Sequence, residues 1–290
     1  MLEAAALAAA AGLGLWAGWV EPRSLRIRRC AVAIPGLTAP LKAVAIGDLQ
    51  PWVHHWPASR LRAAFARAAA EKPDVVFWLG DYYNAPTEGL ARALAAAPAV
   101  GRLHDLLQTP MDVIAAEMGR LTAPMGAFAV LGNHDWAWDG TACAEALRGV
   151  GITVLIGQAA EAVHPATGAR LRVAGLDDAS SRRRPLWRRL RAGRPHVLLT
   201  HAPDVWDWLP DPPPLTLAGH AHGGQVRLPL VPLRLPWLGR RRWRGWSARG
   251  TAQLCVTAGL GASGLPLRFR APPEIVVLDL RPSTQASDGP

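Results

Sequence analysis

At 290 residues, half of them hydrophobic, the chain can bury one large core or two modest ones, which excludes a generally disordered protein. The net charge of +10 is carried almost wholly by arginine, with Lys42 and Lys72 the only lysines, and suits an anionic lipid surface, a nucleic acid or a phosphate-bearing substrate. Cys30, Cys143 and Cys255 are odd in number and far apart, which argues against a disulfide framework and a thiolate zinc site.

The first element is an almost unbroken apolar run from Ala4 to Val20, at the short limit for spanning a bilayer. A cleaved signal peptide would want basic residues before the run, whereas here Arg23, Arg26, Arg28 and Arg29 follow it. By the positive-inside rule this arrangement predicts a single anchor in the inner (cytoplasmic) membrane, with the body of the protein on the cytoplasmic face. Trp16 and Trp19 would mark the interface. The alternative is a buried Ala-rich helix of a soluble domain. The expected division is an anchor over 1–22, a juxtamembrane segment over 23–40, one main domain over 41–281 and a disordered tail over 282–290.

From Leu41 onward, short β-branched runs alternate with Ala-rich stretches, the pattern of an α/β fold. Strands are expected at Ala43 to Ile46, Val75 to Leu79, Ala127 to Leu131, Thr153 to Ile156, Leu171 to Ala174, Val197 to Thr200, Leu215 to Ala218, Gln253 to Thr257 and Glu274 to Leu280. Helices are expected over Ser59 to Glu71, Thr87 to Arg120 with a break near Pro98, and Ala142 to Val150. Two Arg/Trp clusters, Arg182 to Arg194 and Leu233 to Trp246, fit either an anionic headgroup surface or a plain solvated face.

Polar residues gather where the strands end. Asp48 and Gln50 follow the first, Asp81 the second in "WLGDYY", and Asn133, His134 and Asp135 the third in "VLGNHDW". His201 follows "VLLT", and His220 and His222 sit in "GHAHGGQ". Ligands of open α/β sheets bind outside the carboxyl ends of strands, so these residues can converge from distant parts of the chain. Carboxylate, imidazole and carboxamide donors without thiolate suit Mn, Fe, Zn, Ni or Co. His104, His164 and His196 have no such surroundings and read as structural.

The ordered series D-x-(H), GD, GNHD, H and GHxH, from Asp48 to His222, resembles the calcineurin-like metallophosphoesterase superfamily. "GHAHGGQVRLPL" and "GLGASGLPLRFRAPPEIVVLDL" resemble its membrane-anchored bacterial branch, which includes phosphodiesterases and a UDP-2,3-diacylglucosamine pyrophosphatase of lipid A synthesis. The resemblance implies a four-layer αββα sandwich holding two divalent metal ions. One would be surrounded by Asp48, Gln50, Asp81 and His222, and the other by Asp81, Asn133, His201 and His220. It further implies attack at phosphorus by metal-activated hydroxide, with His134 protonating the leaving oxygen and Asp135 orienting it. The substrate would be a phosphodiester or pyrophosphate, lipid-linked in one version, with an anionic membrane surface as partner and no specific nucleic acid.

Gln50 departs from that pattern, since the superfamily carries His there. A carboxamide oxygen is a weaker donor to late transition metals, which points to a looser first site or a harder ion such as Mn or Mg. His54 or His55 could alternatively substitute. Two rival readings follow: a soluble phosphodiesterase or nuclease, and a non-catalytic metal- or phosphate-binding membrane module with a degraded first site.

Overall fold

The β-branched runs fold into two sheets that share one interior. The computed structural model describes residues 1–52, 54–85, 106–176, 187, 190–191, 193–227 and 243–283. The strands are β1 (Arg26–Pro35), β2 (Leu41–Ile46), β3 (Val75–Trp78), β4 (Ala127–Ala129), β5 (Thr153–Val154), β6 (Gln158–Val163), β7 (Arg170–Leu176), β8 (Val197–Thr200), β9 (Leu215–Ala218), β10 (Gly245–Arg249), β11 (Ala252–Val256) and β12 (Glu274–Ser283). They form two six-stranded sheets, in the orders β1-β12-β2-β3-β4-β5 and β10-β11-β9-β8-β7-β6. Neighbours run parallel except β12 with β2, β10 with β11 and β6 with β7.

Three apolar interfaces separate four layers. Period-two alternation sends Val75 and Phe77 of β3 inward to meet Val173 and Leu199 of the second sheet. Val76 and Trp78 point the other way, onto helices α2 (Ala58–Ala69), α3 (Met111–Met118) and α4 (Asn133–Gly149) through Phe65, Ile114 and Leu147. On the far side of the second sheet, Leu176, Leu198 and Ala218 pack against Trp187 and Trp206. Strands covered on both faces read as continuous apolar runs, which is why β3, β8 and β9 are plain in the sequence. The result is the expected αββα sandwich.

The N-terminal helix α1 of the apolar run (Leu2–Leu15) continues through a π turn at Trp16–Val20 and a 3-10 turn at Glu21–Arg23. Glu3–Arg23 is long and apolar enough to cross a membrane, and its most apolar stretch has no buried residue. Its foot is fastened to the sandwich: the Ala17 carbonyl accepts the Arg268 N–H at 2.9 Å and the Gly18 carbonyl accepts His55 Nε2 at 2.6 Å.

The sheet begins earlier than expected. Residues 26–35, read as juxtamembrane, instead form β1 and pair with β12 along its full length. Val32 and Ile34 face the core while Arg28 pairs with Glu274 at 2.8 Å, so the arginines mask the alternation. β12 likewise runs to Ser283, past the expected start of the tail at 282. Helix α4 starts at Asn133 rather than Ala142 and kinks at Asp139. Most of both Arg/Trp clusters, the first part of the Thr87–Arg120 helix, His104 and residues 284–290 lie outside the described residues. The three cysteines are free thiols.

Candidate metal centre

The carboxyl ends of β2, β3, β8 and β9, with the start of α4, deliver Asp48, Asp81, His201, His220 and Asn133 to one place. Left-handed backbone turns do the aiming: Asp48, Gln50, Asp81, His220 and His222 all have positive φ, between 24° and 70°. Such conformations strain a residue with a Cβ and persist only where surrounding contacts fix them. Glycine relieves crowding where backbones approach a carboxylate. A Cβ on Gly219 would lie 2.6 Å from Asp48 Oδ2.

Two donor sets share Asp81. In the first, ligand atoms of Asp48, Asp81 and His222 all lie within 4.8 Å of one another; in the second, those of Asp81, His201 and His220 do. Asp81 is 1% exposed; its Oδ1 accepts the His134 N–H at 2.9 Å and its Oδ2 lies 3.1 Å from His201 Nε2. His201 Nε2 is also 3.1 Å from Asn133 Oδ1 and 3.1 Å from His220 Nδ1. Edges of this length suit a cation about 2 Å from each donor. His201 Nδ1 donates to the Leu79 carbonyl at 2.8 Å, which orients the ring with Nε2 toward the other donors.

The first set is more open. Asp48 Oδ1 accepts the His220 N–H at 2.8 Å and lies 3.6 Å from His222 Nε2. Gln50, fully buried, turns Nε2 toward Asp81 Oδ2 at 3.1 Å. Asp48 Oδ2, Gln50 Oε1 and His222 Nδ1 are buried without a hydrogen-bond partner. Buried polar atoms are normally satisfied, so this cluster of orphans fits a cation.

The electrostatics agree with a site built for positive charge. Burial pushes the Asp48 carboxyl up to about 7. Burial works the same way on Asp81, but His201 and His134 outweigh it and hold that carboxyl below its ordinary range. Burial alone would lower His201; the Asp81 carboxylate beside it instead raises it to about 10. His222 is driven well down by burial and then by the Arg268 charge, which keeps the ring neutral.

His134 adjoins the two sets through the shared Asp81, which accepts its backbone N–H. Its Nδ1 hydrogen-bonds the Ala85 carbonyl and its Nε2 lies 3.1 Å from the Ser263 hydroxyl. Asp135 does not orient it, contrary to expectation. Both Asp135 oxygens are taken by backbone N–H groups of Asp81, Tyr82 and Gly132 at 2.8 Å and Tyr83 at 3.2 Å. That carboxylate clamps the Asp81 loop to the Asn133 loop. Nor do His54 and His55 substitute for Gln50. His55 is held by the Gly18 carbonyl and His54 lies with it, their ring centroids 4.2 Å apart. His164 and His196 are structural, bonded to Asp74 and to the Arg172 N–H.

Two contributors lie in the run Gly259 to Leu280, whose roles the sequence leaves unassigned. One is Ser263. The other is Arg268, fully buried, whose guanidinium donates to the carbonyls of His222, Ala258, Gly261 and Ala271. It ties the loop of a first-set ligand to the chain following β11. Isolated in sequence, an arginine in "PLRFR" carries no sign of this role.

The chain is similar to known proteins over most of its length. The chain is 29% identical to the uncharacterized metallophosphoesterase YkuE of Bacillus subtilis, over 97% of this chain and 93% of that protein. It is also 29% identical to the phosphodiesterase YaeI of Escherichia coli, over 96% of each. Over 42% of this chain and 32% of the relative, it is 31% identical to the UDP-2,3-diacylglucosamine pyrophosphatase LpxG of Chlamydia trachomatis. The family model of the calcineurin-like phosphoesterases matches residues 41–224, which span Asp48 through His222, so the chain belongs to that family and is a metal-dependent phosphoesterase.

Proposed function

We propose that the protein hydrolyses a phosphodiester or pyrophosphate bond at a membrane surface, using two divalent cations held by the two donor sets. The observation that carries this reading is the placement of Asp81, buried and shared by both sets. Paired cations supply Lewis acidity, an activated water and a clamp on the attacking and leaving oxygens of a phosphoryl group. Asp48, Gln50, Asp81 and His222 would hold one ion; Asp81, Asn133, His201 and His220 would hold the other.

The chain's own residues supply the rest. With Nδ1 committed to the Ala85 carbonyl, His134 presents Nε2 outward, where a protonated ring donates to the leaving oxygen. Ser263 holds that nitrogen in place until substrate replaces it. Asp135 keeps the Asp81 and Asn133 loops in register. The choice of a diester or pyrophosphate follows the named activities of the Escherichia coli and Chlamydia relatives. The membrane setting rests on the exposed apolar helix.

Purified full-length protein should bind two divalent ions and turn over bis-p-nitrophenyl phosphate with Mn among the activating metals. A screen of phosphodiesters and pyrophosphates, lipid-linked ones included, would then name the substrate class. Absence of turnover with every divalent metal would sink the reading. Sedimentation with membranes separates the membrane enzyme from a soluble phosphodiesterase or nuclease.

A further inference from the structure

Where the N-terminal helix meets the sandwich, a cavity of about 460 Å³ opens outside the metal centre. That volume lies in the range of ligand sites, about 300–1,000 Å³. Its walls carry Arg23, Arg60 and Arg67 with His54 and Ser59, and an apolar side formed by Leu25, Trp56, Ala63 and Ala64. None of the metal ligands lines it.

The arginines are held by backbone carbonyls. Arg23 donates to the carbonyls of Trp19 and His54, Arg60 to those of His55 and Arg23, and Arg67 to that of Leu25. Among the described residues none of the three pairs with a carboxylate, whereas Arg28, Arg29, Arg62 and Arg170 all do. Carbonyl bonds hold the guanidinium groups in place but leave their charge unneutralised. Burial, and then the neighbouring Arg60 charge, lowers the Arg23 guanidinium, as expected of cations crowded together. The first turn of α2, which forms part of the wall, contains no acidic residue.

Position selects the ligand. Arg23 ends the helical run able to cross a membrane, and it stacks on Trp19, which is 54% exposed. Trp and Arg together mark the headgroup level of a bilayer. Three uncompensated guanidinium groups suit a phosphate, and the apolar side suits the glycerol and first methylenes beneath it.

We propose that this cavity binds the phosphate of an anionic membrane lipid and sets the distance of the metal centre from the bilayer. The proposal rests on the membrane setting given above. It adds a lipid site separate from the catalytic one, built from Arg23, Arg60 and Arg67.

The test is a calorimetric titration of detergent-solubilised full-length protein with short-chain phosphatidylglycerol, in chelator so that the metal centre holds no anion. Short-chain phosphatidylcholine and inorganic phosphate serve as parallel arms. Saturable one-to-one binding of the anionic lipid is expected, with the zwitterion weaker by about tenfold or more, the scale of charged hydrogen bonds. Ser59→Glu introduces opposing charge at an exposed position and Arg67→Gln removes one exposed cation. Each should weaken anionic lipid binding by about tenfold and leave turnover of bis-p-nitrophenyl phosphate unchanged. Binding unaffected by both variants, or equal binding of both lipids, overturns the site. Inorganic phosphate binding as tightly as the lipid overturns the lipid assignment. Flotation with phosphatidylcholine vesicles reports the apolar helix alone, so failure of the membrane setting is seen separately.

Discussion

The two halves of the candidate metal centre share the Asp81 loop but differ in how finished they are. In the half formed by Asp81, Asn133, His201 and His220, His201 Nε2 has three donors at 3.1 Å, and its ring is locked by the Leu79 carbonyl. In the half formed by Asp48, Gln50 and His222, the Asp48 and His222 atoms are 3.6 Å apart and three buried polar atoms have no partner. A preorganised set gives up less conformational freedom when its ion arrives. Under the proposed assignment Gln50 marks an asymmetry in the centre, since Asp48, Asp81 and His222 still bring their ligand atoms within 4.8 Å of one another.

Replacing the shared ligand should have the largest effect. Asp81→Ala removes a donor from both halves, so turnover of bis-p-nitrophenyl phosphate should fall by well over about 100-fold, beyond what losing an outer partner costs. Both ions should be lost in a metal count. Retention of either ion with full turnover would show that Asp81 does not join the halves.

A smaller effect sharpens the asymmetry itself. Gln50→His should tighten the weaker ion by about tenfold and shift preference toward Zn or Co, while the tighter ion is untouched. Metal titration of the two sites by calorimetry reads both quantities. If affinity and preference stay as they were, Gln50 is not a ligand and its Oε1 has another role. A few-fold effect is expected from Ser263→Ala, which frees His134 Nε2 before substrate arrives: kcat/KM should drop, with kcat little changed.

Much of this centre is legible in the sequence because covalent neighbours carry it. Gly-Asp, Gly-Asn-His-Asp and Gly-His-x-His each combine a turn with its ligand, and the buried strands before them are long apolar runs. What the sequence hides are contacts made across long separations. Asp135 looks like a partner for the adjacent His134, yet its side chain turns back to clamp the Asp81 loop. His54 and His55 lie close to Gln50 in sequence, but the chain between carries them toward the N-terminal helix instead. Edge strands are hidden for another reason. β1, β6 and β10 each expose polar side chains on one face, so Arg26, Arg28 and Arg29 look like a basic flank, not like half of an alternating strand.

The less finished half is also the one joined to the N-terminal helix, which gives the smallest expected effect a sharp signature. His55, five residues past Gln50, donates to the Gly18 carbonyl, and Arg268 ties His222 to the loop whose N–H binds the Ala17 carbonyl. Burial pushes the His55 imidazole down to about 4, from about 6.5 in an unfolded chain. Above about pH 6.5 both states are neutral and the group contributes nothing to pH dependence. Between about pH 6.5 and 4 the unfolded chain takes up a proton that the folded one refuses, so folding stability falls as the pH falls. His55→Gln keeps a donor for the Gly18 carbonyl without the titration. The Tm advantage of wild type over this variant should therefore shrink by roughly a few degrees from neutral pH to about pH 4. Thermal unfolding in chelator across that range measures it; parallel curves would show that the fold does not hold the His55 ring neutral where it meets the helix.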